Sequence, residues 1–520
     1  MKNTLLLVCL CLSFSFTWSQ TLSEKVLSTD LKLAFSDGVR LDDGSWMFSA
    51  FANSITPGDS SMSIVAKTDS NFSLLWAKRY KYLRRDDFSC ITKLSDGNVI
   101  VGGTMRQSFS LENGGSLYKL DTAGNVIWHL FYDDSSDDRV ENVFEQADSS
   151  LIIFIRKGVT NNPTKIIHAS REGDIISQRE YALSSNQSLG LLADEVVADE
   201  NEQYYFTGSV NNQGVQEAYV CAVDESNLLW YQRFRFADRS TSCFKIAYDP
   251  VGQALFIGGG VPDTVGIFAN IWLAKLDMMG NFLWAKEFGG PQLFTEFISG
   301  IYPQANGDIL LSGSAFNDNG SDGYLMLLDS TGNQIWEKGY NPNTTTFGVG
   351  AFFLPDGRML LNGNSGSAVY LLSTDLNGQS ACSSKSISLN IADFSAEDST
   401  YALTNSNPAL VKVVPTIAVS DLTVNDSLLC MSSVSIEKLP ASLLEIYPNP
   451  AQEQLMVVLP AGFEQSASCE LVDAFGRTLS PNMLRRAQEI QIDLSSIPQG
   501  IYWIKLSSKG KTVLRSFMRQ

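Results

Sequence analysis

Between about residue 40 and residue 380 the chain repeats one pattern of polar and apolar positions. A short polar turn rich in Asp, Gly and Asn leads into an apolar run that often ends in Gly. Copies of the turn are Asp43-Gly-Ser-Trp46, Asp96-Gly-Asn-Val99, Asp148-Ser-Ser-Leu151 and Asp199-Glu-Asn-Glu-Gln-Tyr204. Asp249-Pro-Val-Gly-Gln-Ala-Leu255, Asn306-Gly-Asp-Ile309 and Asp356-Gly-Arg-Met359 follow. The first apolar residues after the turns stand at 46, 99, 151, 204, 255, 309 and 359, so the steps are 53, 52, 53, 51, 54 and 50. Near-constant spacing of this kind marks a repeat architecture.

A second signal lies out of phase with the first. It is an aspartate turn closed by tryptophan: Asp69 to Trp76, Asp121 to Trp128, Asp224 to Trp230, Asp277 to Trp284 and Asp329 to Trp336. Degenerate copies stand at Arg171–Ile176 and Thr374–Gly378. Each repeat then has room for four strands. In the second these are Phe88–Leu94, Val99–Met105, Leu117–Leu120 and Val126–Tyr132, joined by turns in which Asp, Asn and Gly tolerate positive φ. Four-stranded antiparallel units that bury both faces only against neighbours predict an all-β, seven-bladed β-propeller. The last repeat lacks a clean outer strand, and Leu22–Leu27 is expected to supply it and close the ring.

The pattern changes at both ends. Lys2, the apolar run Leu5–Phe16 and the small Ser19 have the layout of a secretory signal peptide over residues 1–19, with the ring over 20–380. The apolar run is shorter than the roughly 18 residues a span needs, and no later stretch is long and apolar enough, so no transmembrane span is expected in the mature chain. Residues 381–439, rich in Ser, Thr, Val and Asn, suggest a β-rich linker or small β module. Short alternating strands over 440–520 suggest an Ig-like β-sandwich.

Composition removes some functions. The 520 residues carry a formal charge of −18, which repels nucleic acid and anionic lipid. The last 77 residues hold eight Lys or Arg against seven Asp or Glu, so the acidity belongs to the rest. Cys9 and Cys11 fall in the signal peptide. The other six cysteines show no CxxC spacing, against structural zinc. Cys382 and Cys430 flank the 381–439 segment and are a candidate pair in an oxidising compartment.

Catalytic motifs are missing. Two histidines, His129 and His168, exclude a multi-histidine metal site and are the only bases for a Ser–His–Asp arrangement. GxSxG, HExxH and GxxxxGK[ST] do not occur, and Gly258–Gly260 ends a strand rather than opening a helix. No catalytic residue, metal site or cofactor is expected. Asp318–Asp322 offers oxygen donors for calcium but no regular loop pattern. The recurring aspartates read as turn caps and the tryptophans as packing between blades. Charges in the loops between blades, Arg84, Arg85, Asp133, Asp134, Asp238 and Arg239, mark a candidate binding face.

The C-terminal segment carries a more specific signal. Tyr447-Pro-Asn-Pro450 opens it, Asp473–Arg477 with Gly476 forms a hairpin, Leu494 precedes Gly500-Ile-Tyr502, and a basic terminal strand holds Lys511 and Arg515. In this order at the C-terminus, these residues resemble the type A C-terminal sorting domain of the type IX secretion system. Tyr447, Pro448, Asn449, Pro450, Gly476, Gly500, Tyr502, Lys511 and Arg515 carry that resemblance. It implies contact with the type IX machinery, export across the outer membrane, and a secreted or cell-surface location. The family's usual Lys followed by an apolar pair near the end is replaced here by Val513–Phe517 with Arg515. The expected function is a non-catalytic binder of glycan or protein. The alternatives are a polysaccharide hydrolase or lyase working on the loop face, and a structural cell-surface component.

Overall fold

The aspartate turns set the local geometry. Asp121 Oδ1 accepts the backbone N–H groups of Ala123 and Asn125 at 2.9 and 2.8 Å. Asp69, Asp277, Asp329 and Asp375 do the same two and four residues on. Each carboxylate thus satisfies donors that a tight turn leaves unpaired. The strands that leave these turns are described in a computed structural model. It covers Ser19 to Arg519 apart from 54–61, 107–112, 158–163, 184–194, 263–268, 460–467 and pieces of five residues or fewer. The signal-peptide residues before Ser19 lie outside the described residues.

Among the described residues there is no helix, and seven four-stranded antiparallel units follow one another. Unit 1 comprises Lys32–Arg40, Trp46–Asn53, Met62–Thr68 and Leu74–Lys81; unit 2, Arg85–Lys93, Val99–Arg106, Asn113–Leu120 and Val126–Asp133. Unit 3 comprises Asp138–Glu145, Leu151–Lys157, Thr164–Ala169 and Ile175–Leu183; unit 4, Glu195–Ala198, Tyr204–Asn212, Val215–Val223 and Leu228–Arg235. Unit 5 comprises Ser242–Asp249, Ala254–Pro262, Ala269–Asp277 and Phe282–Gly289; unit 6, Thr295–Pro303, Ile309–Asn317, Gly320–Leu328 and Gln334–Tyr340. Unit 7 has Thr346–Phe353, Met359–Ser365 and Ala368–Thr374 in its own stretch of chain. Its fourth strand is Ser19–Ser28, which pairs antiparallel with Ala368–Thr374 through Glu24↔Leu372 and Leu27↔Val369. The N-terminal segment therefore completes the last unit, as its sequence suggested.

Period-two alternation explains how the units pack. Val99 and Val101 join a hydrophobic cluster with unit 1, while Ile100 between them joins a cluster with unit 3. Leu151, Ile153 and Ile155 likewise face unit 2, and Ile152 and Phe154 face unit 4. The two middle strands of each unit are largely buried on both faces, so they read as near-continuous apolar runs. Similar shared clusters join units 4 and 5, 5 and 6, and 6 and 7. A further one, with Leu33, Phe35 and Phe48 of unit 1 and Leu360, Val369 and Leu371 of unit 7, closes the ring.

Tryptophan and glycine cooperate across these joints. A Cβ on Gly124 would stand 2.7 Å from the Trp76 ring of the preceding unit; Gly280, Gly332 and Gly378 meet Trp230, Trp284 and Trp336 in the same way. All four glycines have positive φ, from +71° to +86°. Only glycine meets both demands without cost. The same carbonyls are fastened by Tyr80 to Gly124 at 2.7 Å and Tyr340 to Gly378 at 2.6 Å. The tryptophans therefore serve packing between units.

The segment after the last repeat adds a fifth, outermost strand to each unit. Ser384–Lys385 pairs with unit 6, Asn390–Asp393 with unit 5, Glu397–Ser399 with unit 4 and Leu403–Ser406 with unit 3. Val411–Val413 pairs with unit 2, Ala418–Asp421 with unit 1, and Asn425–Ser435 with Ser19–Ser28 of unit 7. The order 6, 5, 4, 3, 2, 1, 7 runs against the order in which the units were laid down. The segment is a belt that makes one full turn around the ring.

Ser432–Gln520 form a second compact unit. One of its sheets orders Glu437–Lys438, Lys511–Arg519, Gly500–Ser508, Ser468–Val472 and Thr478–Leu479. The other orders Glu445–Tyr447, Gln454–Val458, Glu489–Asp493 and Met483–Arg485. Leu455, Val457, Ile490 and Ile492 of one sheet meet Leu471, Ile504, Leu506 and Phe517 of the other in a single core. It is a β-sandwich with its own hydrophobic centre.

Candidate functional site

Three places bring polar chemistry together in the ring: the innermost strands, one joint with a histidine, and a groove where the ring closes. The first strand of a unit lies innermost, because the belt lies against the fourth. Six of these inner strands carry a bulge, as between Phe35 and Asp37 or Cys243 and Lys245. The bulge makes room for extra twist near the crowded axis. Asp37, Glu195 and Lys245 all stand nine residues before the second strand of their unit. They feel one another's charge across the ring, together with Tyr302 of unit 6.

Each of these charges is already engaged. Asp37 Oδ2 accepts Ile91 N–H of the next unit at 3.0 Å and Oδ1 accepts Gly38 N–H at 2.7 Å. Glu195 Oε2 accepts Ile246 N–H at 2.9 Å and Oε1 pairs with Lys245 Nζ at 3.2 Å. Glu141 pairs with Arg156 at 2.9 Å and Arg139 at 3.5 Å. Tyr302 hydroxyl accepts Ala351 N–H at 2.7 Å. Asp37, Glu195 and Tyr302 tie the inner strand of one unit to that of the next, while Glu141 is held within unit 3.

Burial dominates the acid at Asp37. Enclosure pushes its carboxyl up to about 6, against the opposing pull of the Ile91 and Gly38 N–H groups and Lys245. A folded pKa above the unfolded value means that the group favours folding below pH 3.8 and opposes it increasingly as pH rises through 6. Asp37→Asn should therefore flatten the pH profile. Wild type should lose about 2 kcal/mol relative to the variant between pH 4 and pH 7, a figure discounted for the partial solvent exposure of Asp37. Urea unfolding at the two pH values measures this; parallel profiles for the two chains would show that the carboxylate is not desolvated.

Histidine stands at the joint of units 3 and 4. His168 Nε2 lies 2.9 Å from Ser150 Oγ, and His168 Nδ1 lies 2.9 Å from Glu225 Oε1. The order is that of a nucleophile, base and orienting acid. Other contacts give it a structural sense. Ser150 is buried, its hydroxyl donates to Gln146 Oε1 at 2.8 Å and its N–H is held by Asp148. Ser149 N–H is bonded to Gln146 O, so the turn offers no pair of donors for an oxyanion. At the matching place in units 1 and 2, Lys67 pairs with Asp43 and Lys119 with Asp96. His168 occupies the position of those lysines. His129 is buried beside the Tyr118 ring, 4.0 Å between centroids.

A groove of about 240 Å³ opens between units 7 and 1. Arg40, Gly44, Trp46, Ser70, Asn71, Leu354 and Arg358 line it. Among the described residues, unit 7 brings no tryptophan to this joint. Phe72 occupies the glycine position with φ +62° and packs on Trp46 at 5.9 Å, and Lys25 of the N-terminal strand bonds its carbonyl. Arg40 is exposed, whereas Trp46 and Arg358 are buried walls. The neighbouring carboxylates are neutralised by lysines: Asp42 pairs with Lys93, and Asp43 with Lys67.

The sequence-derived face falls at the opposite end of the strands from this groove. Arg85 opens unit 2 and Asp133 ends it, with side chains outside the described residues, as are Arg84, Asp134 and Asp238 altogether. Arg239 forms a bidentate pair with Glu287 at 2.9 and 2.7 Å. Asp322 is buried and accepts Asn341 Nδ2 at 2.7 Å; Asp318 lies outside the described residues. Among the described residues no three His, Cys, Asp or Glu side chains converge as metal ligands would. Sequence reasoning missed both the inner-strand charges and the groove. The constant offset of nine residues was the signal for the first.

In the C-terminal sandwich the two ends of the motif meet. Asn449 Oδ1 accepts Met518 N–H at 3.0 Å, Ala451 N–H donates to Met518 O at 2.8 Å, and Arg515 donates to Leu444 O at 2.8 Å. Tyr447 hydroxyl donates to Glu489 at 2.9 Å, and the Tyr447–Pro448 and Asn449–Pro450 peptides are cis. Gly500 pairs with Arg519, Tyr502 donates to Pro498 O at 2.9 Å and packs on Phe517, and Lys511 opens the last strand. Gly476 lies outside the described residues.

The family model of the secretion system C-terminal sorting domain matches residues 445–520. These residues form the sorting domain of the type IX secretion system, and the protein is secreted or held at the cell surface. No curated protein matches the chain. Among solved structures, Sqt1 from Chaetomium thermophilum is similar over 67% of this chain and 100% of its own, at 8% identity and a TM-score of 0.37. A eukaryotic initiation factor is similar over 74% of this chain and 98% of its own, at 11% identity and a TM-score of 0.33. Among the described residues no helix is long and apolar enough to cross a membrane.

Proposed function

We propose that this exported chain is a non-catalytic binding module for an acidic glycan, which it takes in the groove between units 7 and 1. The observation that carries the reading is the lining of that groove: the exposed Arg40 guanidinium, the two polar turn residues Ser70 and Asn71, and a wall of Trp46, Leu354 and the buried Arg358 in about 240 Å³. Guanidinium presents a planar fork of donors that matches a carboxylate or sulfate. The volume lies below the roughly 300 Å³ at which drug-sized pockets begin, which suits one sugar ring of a chain that continues into solvent. Asp42 and Asp43 are held by lysines, so these two carboxylates compete less for Arg40.

Binding is favoured over hydrolysis by the state of the acids. Glycoside hydrolysis needs two carboxyl groups aimed at one bond. Asp37 and Glu195 have both oxygens engaged with backbone or Lys245, and Glu141 lies between two arginines. An array of acidic and neutral glycans probed with the purified ring should show retention of uronate- or sulfate-bearing members without turnover. Arg40→Glu should weaken that retention at least tenfold and leave unfolding unchanged. Undiminished retention by the variant, or cleavage of the bound glycan, would overturn the reading.

A further inference from the structure

The belt bears on the fate of one cysteine. Cys382 is disulfide-bonded. Cys90, Cys221, Cys243 and Cys469 are free thiols, so none of them is its partner. Cys9 and Cys11 lie in the apolar run expected to leave with the signal peptide, and Cys430 is the cysteine that remains. Backbone placement supports the same choice. Cys382 N–H donates to Glu24 Oε1 at 2.9 Å, which sets it beside the N-terminal strand of unit 7. Cys430 belongs to Asn425–Ser435, the belt strand paired with that same N-terminal strand. The belt thus leaves unit 7, passes all the other units in turn, and returns to where it began.

We infer that Cys382 is bonded to Cys430 and that the belt is a closed covalent hoop around the ring. The bond forms by thiol–disulfide exchange. A disulfide-bearing protein oxidant of the cell envelope takes the two electrons and two protons of the cysteines and leaves as a dithiol. The N-terminal strand continues along the chain into unit 1, so the ring is shut by the non-covalent pairing of that strand with Ala368–Thr374, with the shared cluster and Phe35 N–H to Asn364 Oδ1 at 2.9 Å beside it. With the hoop shut, that joint cannot part unless the belt strands are stripped from the units as well. The hoop is a clamp on ring opening.

Peptide mapping of the exported protein tests the connection. After thiol blocking and trypsin without reductant, cleavage at Lys385 and Lys412 separates the two cysteines unless they are bonded. A linked pair holding Cys382 and Cys430, split by reductant, is the expected product. Cys382 found blocked, or joined to another cysteine, would overturn the assignment. The clamp is tested by unfolding rates in denaturant: reductant should speed unfolding of wild type at least tenfold and have no effect on Cys430→Ser. If that variant fails to fold, the wild-type comparison stands alone. A wild-type rate indifferent to reductant would overturn the clamp.

Discussion

Removing residues 445–520 should abolish delivery. The truncated chain is expected to reach the periplasm, fold there and remain there, with the extracellular and surface fractions falling to background. The sorting domain is a separate compact unit with its own core, from Leu444 through Leu455, Ile492 and Ile504 to Phe517, so its loss leaves the ring's seven shared clusters untouched. Fractionation followed by immunoblotting measures the effect, and circular dichroism of the periplasmic protein checks that the ring is intact. The reciprocal fusion, residues 432–520 attached to an unrelated periplasmic protein, should carry its passenger out. Surface display of the truncated chain at the wild-type level would refute the assignment of export to this domain.

Glu24→Ala should loosen the closure of the ring. The carboxylate is fully buried and joins three segments: it accepts Tyr370 hydroxyl at 2.7 Å, and Cys382 N–H and Ser383 N–H at 2.9 and 2.8 Å. Truncation takes an acceptor from three donors, but Tyr370 hydroxyl keeps Ser383 Oγ at 3.0 Å, Ser383 N–H keeps Ser380 Oγ at 3.1 Å, and Cys382 is open to water. A loss of about 1–3 kcal/mol is expected in chemical denaturation, with early proteolysis of the N-terminal strand. The pH dependence has a definite sign. Burial tends to raise this pKa, but the hydrogen bonds from Tyr370, Ser380, Cys382 and Ser383 outweigh it and hold the group below 4.5. Its contribution is therefore present above pH 4.5 and lost as pH falls through the folded value. Glu24→Gln should remove that acid-side loss, opposite in direction to the change at Asp37. A variant within about 0.5 kcal/mol of wild type would show that the carboxylate does not hold the closure.

Much of the ring was legible because the repeat is locally consistent. The apolar residues that mark the turns, Trp46, Val99, Leu151, Tyr204, Ile309 and Met359, each begin the second strand of a unit; in unit 5 the strand begins at Ala254 instead of Leu255. The expected strands of unit 2 differ from the observed ones by a few residues, because Asn113–Gly115 and Arg85–Asp87 extend the ladder with polar residues. Contact between segments far apart in sequence was harder to read. The belt strands are mostly two to four residues long, as at Ser384–Lys385 and Val411–Val413, and so carry no period of their own. Their pairing is dictated by the open edge of the unit they meet. The groove was illegible for a related reason: Arg40, Ser70 and Arg358 come from turns of two units that are neighbours only after closure. The sorting motif was the opposite case, since its residues carry a fixed order at one end of the chain.

A sheet that ends in open solvent leaves a row of unpaired N–H and C=O groups, on which a strand from another molecule can add. A ring of seven sheets would present seven such rows around its rim. Here each is covered by a piece of the same chain, down to the two residues Ser384 and Lys385 on unit 6. The belt strands become the new edges, but on six of the seven units they are only two to four residues long, so the row left open to another copy is short.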